Sequence, residues 1–374
     1  MVNTVACFEN KIYLHHMLLR GSNEKIGYQL GCYAKKKHQI DKSNHTDHEI
    51  IKNQYNYLRA NYPQHYERMS GFANAYGESL ENHDYDFSYF GRLIDNSSCS
   101  AVFYPPEITE NGLGYISRNL DFSLPSDFKE RSSFFPFKHS YLVEMYPENG
   151  YPSISLFCFE VFGLALEGIN SEGLAVIHLA DADTRMDHDD LSTMQTRPGF
   201  NEFLPVQYLL DNCATVQEAK TALGKIEHYH VAIPVHLLIA DKKGDSFAFE
   251  YSYDGTKKVF IDGIRKSPLK ITNFQLNRLT DQNLIRKMEF NSTENGYDRY
   301  KILENRISSI QLPFTENIIE NINTDVYIHK DNEEELERTL FHSIYDLSSS
   351  SVKFSLLPTI NMSKNNFVKF TLTT

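Results

Sequence analysis

At Cys99 the chain changes texture, and that change constrains its fold more than any single motif. From this point the sequence runs as "CSAVFYPP", "GLGYISRNLDF", "HSYLVEMYP", "SISLFCFEVFGLALEGIN" and "EGLAVIHLA". These are short runs rich in β-branched and aromatic residues, punctuated by Gly, Pro, Asn and Ser, as meandering antiparallel strands require. "GINSEG" (Gly168 to Gly173) between two apolar runs predicts a hairpin. Upstream, residues from about 20 to 80 carry apolar residues at three- and four-residue spacing, with Ser22 and Asn23 as candidate caps and Pro63 at a helix start. Everything before Asp95 therefore reads as a helical unit.

Downstream, Asn201 to Ile226 reads as two amphipathic helices, the second capped by Thr215. Strands return in "PVHLLIADKKGDSFAFEYSYDGTKKVFI", a helix in "DRYKILENRI", and a closing hairpin in "TLFHSIYDLSSSSVKFSLL". The charged run "HKDNEEELERT" (His329 to Thr339) reads as a surface loop or helix start. No internal repeat is visible. Strands and helices in this alternation predict an α+β fold, with helices packed outside antiparallel sheets.

A formal net charge of -12 supplies no footprint for phosphate contacts, which argues against nucleic acid as a partner. No basic segment followed by an apolar core opens the chain, and no apolar run approaches the ~20 residues needed to span a bilayer. The expectation is a soluble cytoplasmic protein with no membrane span. Five cysteines, scattered and never in a CxxC pair, argue against both a disulfide framework and a zinc cage. GxSxG, GxGxxG and GxxxxGK[ST] motifs are absent, so no cofactor is expected. His228, His230 and His236 read as strand positions because no carboxylate partner stands at ligand spacing, and the acidic run His178 to Asp190 lacks the glycine and final glutamate of an EF-hand loop. No metal is expected.

Cys99 follows a flexible polar turn, "DNSS", and eighteen residues separate it from Arg118 in the next strand. "RNLD" places Arg118 and Asp121 at the end of that strand. A cation near a thiol lowers its pKa and enriches the nucleophilic thiolate. Cys7, Cys32, Cys158 and Cys213 stand in apolar or helical settings and read as structural.

Taken in order, Cys99 at a strand start, "RNLDF", "GLALEGINSEGLAV", "TNF" (Thr272 to Phe274), "STENGYDRYKIL" and "TLFHSIYD" resemble the N-terminal nucleophile cysteine hydrolases. The nearest resemblance is to the isopenicillin N acyltransferase-like autoproteolytic acyltransferases. Choloylglycine hydrolases, acid ceramidase and N-acylethanolamine amidase are more distant. "RGSNEKIGYQLG" and "ERMSGFANAYGE" look like the helical prosegment of the acyltransferase-like branch, so the resemblance runs along essentially the whole chain.

That resemblance implies a four-layer αββα sandwich of two antiparallel sheets flanked by helices, with residues 1–98 as prosegment and 99–374 as catalytic subunit of one compact domain. It implies self-cleavage between Ser98 and Cys99, giving an α/β heterodimer, with a homo-oligomer left open. The freed α-amine, with a reference pKa of about 7.7 to 8.0, would serve Cys99 as general base. By resemblance Asp121 grips that amine, Arg118 holds the thiolate or substrate, and Arg299 supports the site. Asn273 would help hold the oxyanion, where one donor is worth about 2.7 to 4 kcal/mol. The implied activity is hydrolysis of a non-peptide linear amide; the alternatives are acyl transfer from an amide or thioester donor to an amine, and a catalytically silent scaffold. Ala180 stands where bile-salt hydrolases carry an asparagine, which leaves a second oxyanion donor unassigned and weakens a bile-salt reading.

Overall fold

The structure, a computed structural model, describes residues 2–8, 12–39, 41, 43–44, 47–88, 97–124, 137–158, 165–181, 198–229, 234–280, 296–331, 336–358 and 367–372. Two large sheets dominate. One has nine strands in the order β1 (Val2–Phe8), β2 (Ile12–Gly21), β7 (His139–Pro147), β8 (Ser153–Cys158), β9 (Ala165–Asn170), β10 (Ala175–Ala180), β11 (Val235–Ala240), β12 (Ser246–Tyr251) and β13 (Lys258–Asp262). The other has seven: β14 (Leu269–Ile271), β5 (Ser97–Tyr104), β6 (Tyr115–Leu124), β16 (Leu336–Asp346), β17 (Ser351–Leu356) and β18 (Phe367–Thr371) in line, with β15 (His329–Asp331) paired to β16. A two-stranded ribbon joins β3 (Ser43–Asn44) to β4 (Tyr85–Asp86).

Alternation of side chains decides which face of each strand is dry. On β5 and β6, Cys99, Ala101, Phe103, Ile116 and Leu120 join the core between the sheets, while Val102, Tyr104 and Tyr115 join a second core on the opposite face. That outer core is closed by α6 (Gly296–Ser308) and α7 (Glu316–Ile322), through Leu303, Ile307, Ile319 and Ile322. Behind the nine-stranded sheet pack α4 (Leu204–Asn212) and α5 (Val216–Lys225). The result is the four-layer αββα sandwich expected from the resemblance. The hairpins β9–β10 and β16–β17 form as the turn residues predict, and Thr215 caps α5 by accepting from the Glu218 amide.

Two readings of the sequence are corrected. The unit before Asp95 is not wholly helical: α1 (Asn23–Tyr33), α2 (His48–Asn61) and α3 (Pro63–Ala75) follow two strands, and β2 runs parallel to β7 in register from Tyr13↔His139 to Gly21↔Pro147. Those strands finish the edge of the nine-stranded sheet, so the first residues of the chain are part of its main layer. The charged run from His329 is likewise a hairpin arm: His329–Asp331 pairs antiparallel with Leu336–Arg338. Charged side chains on an edge strand leave the backbone pairing intact and discourage further strand addition.

The N-terminal helices are tied to the rest by buried polar contacts. Arg68 on α3 forks onto Asp211 on α4 at 2.7 and 3.0 Å, Tyr62 donates to the same carboxylate at 2.5 Å, and Arg68 Nε donates to Asn23 on α1 at 2.9 Å. Gln54 on α2 exchanges two hydrogen bonds with Gly199. α1 and α3 touch backbone to backbone: a Cβ at Gly27 would stand 1.9 Å from the Arg68 carbonyl oxygen, and one at Gly71 1.8 Å from that of Glu24. Both cross-over points therefore require glycine.

Removing one partner of a buried ion pair strands the other charge at a cost of about 3 to 5 kcal/mol. Asp211→Ala is expected to lower the urea unfolding free energy by that amount, while a surface change such as Lys220→Ala shifts it by under about 1 kcal/mol.

Candidate active site

Cys99 is the third residue of β5 and is 2% exposed, its side chain turned into the space between the sheets. β5 pairs antiparallel with β6, with Ala101 opposite Arg118 and Cys99 opposite Leu120. This register sets Arg118 diagonally beside the thiol on the same face, and its Nη2 lies 3.4 Å from Sγ. The backbone of Cys99 is held from the other side. Its amide donates to Asn273 Oδ1 at 2.7 Å, and its carbonyl accepts from Arg299 Nη1 at 2.5 Å. Arg299 Nη2 donates to the same Asn273 oxygen at 2.6 Å. Strand β5, the segment after β14 and helix α6 thus converge on one residue.

Asp121 does not stand where the sequence reading put it. β6 continues to Leu124, so residues three apart point to opposite faces: Arg118 faces the inter-sheet core and Asp121 faces the helical layer. Asp121 accepts from Thr339 Oγ1 at 2.5 Å and lies 3.7 Å from Arg299 Nη1; its Oδ2 is buried and accepts no hydrogen bond among the described residues. Arg118 is paired instead with Glu167 on β9, Nε to Oε2 at 2.7 Å, and both side chains are buried. Ser343 and Tyr345 on β16 also donate to that carboxylate, at 2.6 and 2.8 Å. Glu167 went unassigned in the sequence. The signal was a lone carboxylate in the apolar run "GLALEGIN", which a buried strand tolerates only with a cation or donors to meet it.

The expected lowering of the thiol pKa is also corrected. Burial pushes Cys99 above its ordinary value, with Asp121 and Glu167 adding to the rise, against the opposing pull of Arg118 and Arg299. Arg118 is the largest charge acting on the thiol, and Glu167, paired with it, opposes it only slightly. Burial also raises Asp121 to about 6, against Arg299, the Thr339 hydrogen bond and Arg118, which lower it.

The family sequence model for acyl-coenzyme A:6-aminopenicillanic acid acyl-transferase matches residues 109–359, 251 of the 374 in the chain. The chain belongs to this family. Membership makes it an enzyme of the N-terminal nucleophile type, built for amide hydrolysis or acyl transfer. Arg118, Asp121, Asn273 and Arg299 fall within the matched span, and Cys99 lies just before it. Among solved structures, penicillin V acylase from Agrobacterium tumefaciens superposes with a TM-score of 0.50 at 20% identity, over 73% of this chain and 86% of that one, which establishes the shared fold. A mutant of the conjugated bile acid hydrolase from Clostridium perfringens gives a TM-score of 0.48 at 13% identity, over 74% and 97%. The Caenorhabditis elegans N-acylethanolamine-hydrolyzing acid amidase ortholog gives 0.47 at 14%, over 74% and 100%. No curated protein sequence matches the chain.

The remaining candidates separate cleanly. His236 is buried between Glu250 and Asp181, and the His228 ring lies tilted against Phe249 at 5.7 Å between ring centroids. Among the described residues no cluster of His, Cys, Asp and Glu could hold a metal, and no helix is long and apolar enough to cross a membrane. His230 and most of the acidic run, Ala182 to Asp190, lie outside the described residues. Ala180 contributes its carbonyl, which accepts from Asn273 Nδ2 at 2.7 Å. An amide nitrogen carries two hydrogens, so one Asn273 donor is engaged here and the second meets no acceptor among the described residues.

A carboxyl whose folded pKa is raised stabilises the fold below its unfolded pKa and loses that contribution as pH climbs through the folded value. For Asp121 the window runs from 3.8 to about 6. Relative to Asp121→Asn, both measured on the Cys99→Ala chain, the Asp121 protein is expected to lose roughly 3 kcal/mol of unfolding free energy between pH 3.5 and 7. A difference that stays flat across this range would show the carboxylate already ionised at pH 4.

Proposed function

We propose that the protein is a self-activating cysteine amidohydrolase in which Cys99 is the nucleophile, acting on a non-peptide linear amide. The observation that carries this reading is that the nitrogen, the carbonyl oxygen and the sulfur of Cys99 are each gripped by a different side chain, Asn273, Arg299 and Arg118. A buried cysteine serving only as filler needs none of these contacts.

In the first reaction the Cys99 sulfur attacks the Ser98 carbonyl carbon. The carbon–sulfur bond forms, the peptide carbon–nitrogen bond breaks, and the thiol proton passes to the departing nitrogen. Water then cleaves the thioester, leaving a carboxylate on Ser98 and restoring the thiol. The raised thiol pKa keeps Cys99 protonated in the uncut chain, so the proton the leaving nitrogen needs is already at hand. Asn273 Oδ1 holds that nitrogen before and after the cut, and Arg299 fixes the Cys99 carbonyl so that the residue does not turn with its new terminus. Asp121, opposite Ser98 in the ladder and with one oxygen that accepts no hydrogen bond among the described residues, is the carboxylate that takes up charge on the new ammonium, directly or through Arg299.

In the mature site the neutral α-amine draws the thiol proton as Cys99 attacks the substrate carbonyl, which yields an acyl-enzyme and expels the amine. Arg118, poised at sulfur, holds the forming thiolate, and Glu167 positions Arg118. Water or an amine then takes the acyl group. Penicillin V acylase, similar in fold, supports an acyl amide as substrate. Acyl transfer from a thioester to an amine is the second reading, favoured by the name of the family whose model matches the chain. On this reading residues 1–98 and 99–374 become two subunits that stay together, because the β2–β7 pairing and the Arg68–Asp211 fork both cross the division.

Intact mass is expected to find two fragments, split between Ser98 and Cys99, in the wild type and one chain in Cys99→Ala, with both fragments of the wild type co-eluting in native gel filtration. A wild type that stays whole and whose Cys99 resists iodoacetamide would overturn the reading in favour of a silent scaffold. With penicillin V as acyl donor, product formation that is unchanged by an added amine marks a hydrolase, and amide formation with that amine marks a transferase.

A further inference from the structure

Beside the segment that carries Asn273 lies a group of titratable side chains that the proposed chemistry does not use. Asp181 follows the last residue of β10, His236 is the second residue of β11, and Glu250 stands opposite it near the end of β12; all three side chains are fully buried. The His236 ring lies with Nδ1 3.1 Å from Glu250 Oε2 and Nε2 3.6 Å from Asp181 Oδ1. Two carboxylates and an imidazole in one dry place are costly to desolvate and persist where they hold something in position.

What they hold is the segment that carries Asn273. The two Glu250 oxygens accept the backbone amides of Leu276 and Asn277, at 3.0 and 2.6 Å. Asp181 Oδ2 accepts from Gln275 Nε2 at 3.2 Å, and Gln275 also donates to the Tyr251 carbonyl at 3.0 Å. From the same side, the Ala180 carbonyl accepts from Asn273 itself. The segment follows β14, the edge strand of the seven-stranded sheet, whereas its partners stand on or directly after β10 and on β12 of the nine-stranded one. These bonds therefore tie the segment to the opposite sheet, and together they fix where Asn273 meets Cys99.

We propose that Asp181, His236 and Glu250 form a clasp that sets the position of Asn273 against the Cys99 nitrogen, and that they act as positioning residues for both the chain cleavage and the later acyl transfer. The proposal rests on the reading of Cys99 as the nucleophile. Glu250 is the centre of the clasp, since one carboxylate serves two consecutive backbone amides and the ring of His236. A glutamine there keeps one accepting oxygen and turns a donor toward an amide hydrogen, which pushes the segment away while nearly preserving volume. A displacement of about 1 Å at a reacting centre costs on the order of 100-fold in rate.

The test follows cleavage of the full-length chain by intact mass over time, in the wild type, Glu250→Gln, Asn273→Ala and the double variant, with circular dichroism and thermal melting to establish folding. Glu250→Gln is expected to slow cleavage about 10- to 100-fold while remaining folded. In the Asn273→Ala background it is expected to add less than twofold, because its effect passes through Asn273; a merely structural role would slow both backgrounds alike. Should Glu250→Gln not fold, Asp181→Asn, which keeps an acceptor for Gln275, replaces it with the same expectations. A folded Glu250→Gln that cleaves at the wild-type rate, or effects that multiply in the double variant, overturn the clasp alone. A wild type that never cleaves overturns the nucleophile reading and the clasp with it.

Discussion

The guanidinium of Arg299 is the tie on which the centre of this molecule depends. It is nearly fully buried, and within reach of its two terminal nitrogens stand the Cys99 carbonyl, the Asn273 side chain and the Asp121 carboxylate. These groups come from a strand start, a loop and a strand on the far side of the ladder. Without a planar, permanently charged fork, no single residue would satisfy all three. The helix that carries it must dock on the outer face of the seven-stranded sheet, so the apolar contacts of α6 and the geometry around the cysteine are one constraint.

A second charge balance lies on the other face of the same sheet. Arg118 meets sulfur and Glu167 meets Arg118, while burial holds the thiol above its ordinary pKa against the pull of the arginine. On the proposed reading, the arrangement suits a group that keeps its proton until a peptide nitrogen needs it. Placing the two arginines on opposite faces of one ladder lets each have its own carboxylate, Asp121 for Arg299 and Glu167 for Arg118. Four buried charges then occur as two near-neutral pairs, which limits what desolvation costs.

Much of this could be read before the fold was known. Strand runs punctuated by turn residues gave the sheets, and the three- and four-residue spacing gave α1 to α6. Cys99, Arg118, Asp121, Asn273 and Arg299 do lie together, which the order of the motifs implied and spacing alone did not. Other features were harder to read. The strands at 2–21 lack flanking turn signals strong enough to separate them from the helices that follow, and β2 joins β7 across more than 120 residues of chain. The run from His329 looked like a loop because charge dominates its composition, yet a ladder needs only its backbone. "RNLD" reads as the end of a strand, whereas the strand continues to Leu124 and alternation carries the Asp121 carboxylate to the far face.

By itself, the sequence determined most of the local periods, namely which stretches are strands or helices, and which side chains have the chemistry to act on an acyl group; it put the start of β5 at Cys99, two residues late, because Ser97 and Ser98 read as turn residues. Those follow from propensity, spacing and turn residues, all of which are local. Only the tertiary structure decided the partners. Glu167, Asp181, His236 and Glu250 are scattered in sequence, and nothing local distinguishes a buried carboxylate with a partner from an exposed one. The facing of two sheets brings them to Arg118 and to the segment of Asn273, because contacts across that space are set by strand order and register, neither of which any short stretch of the chain contains.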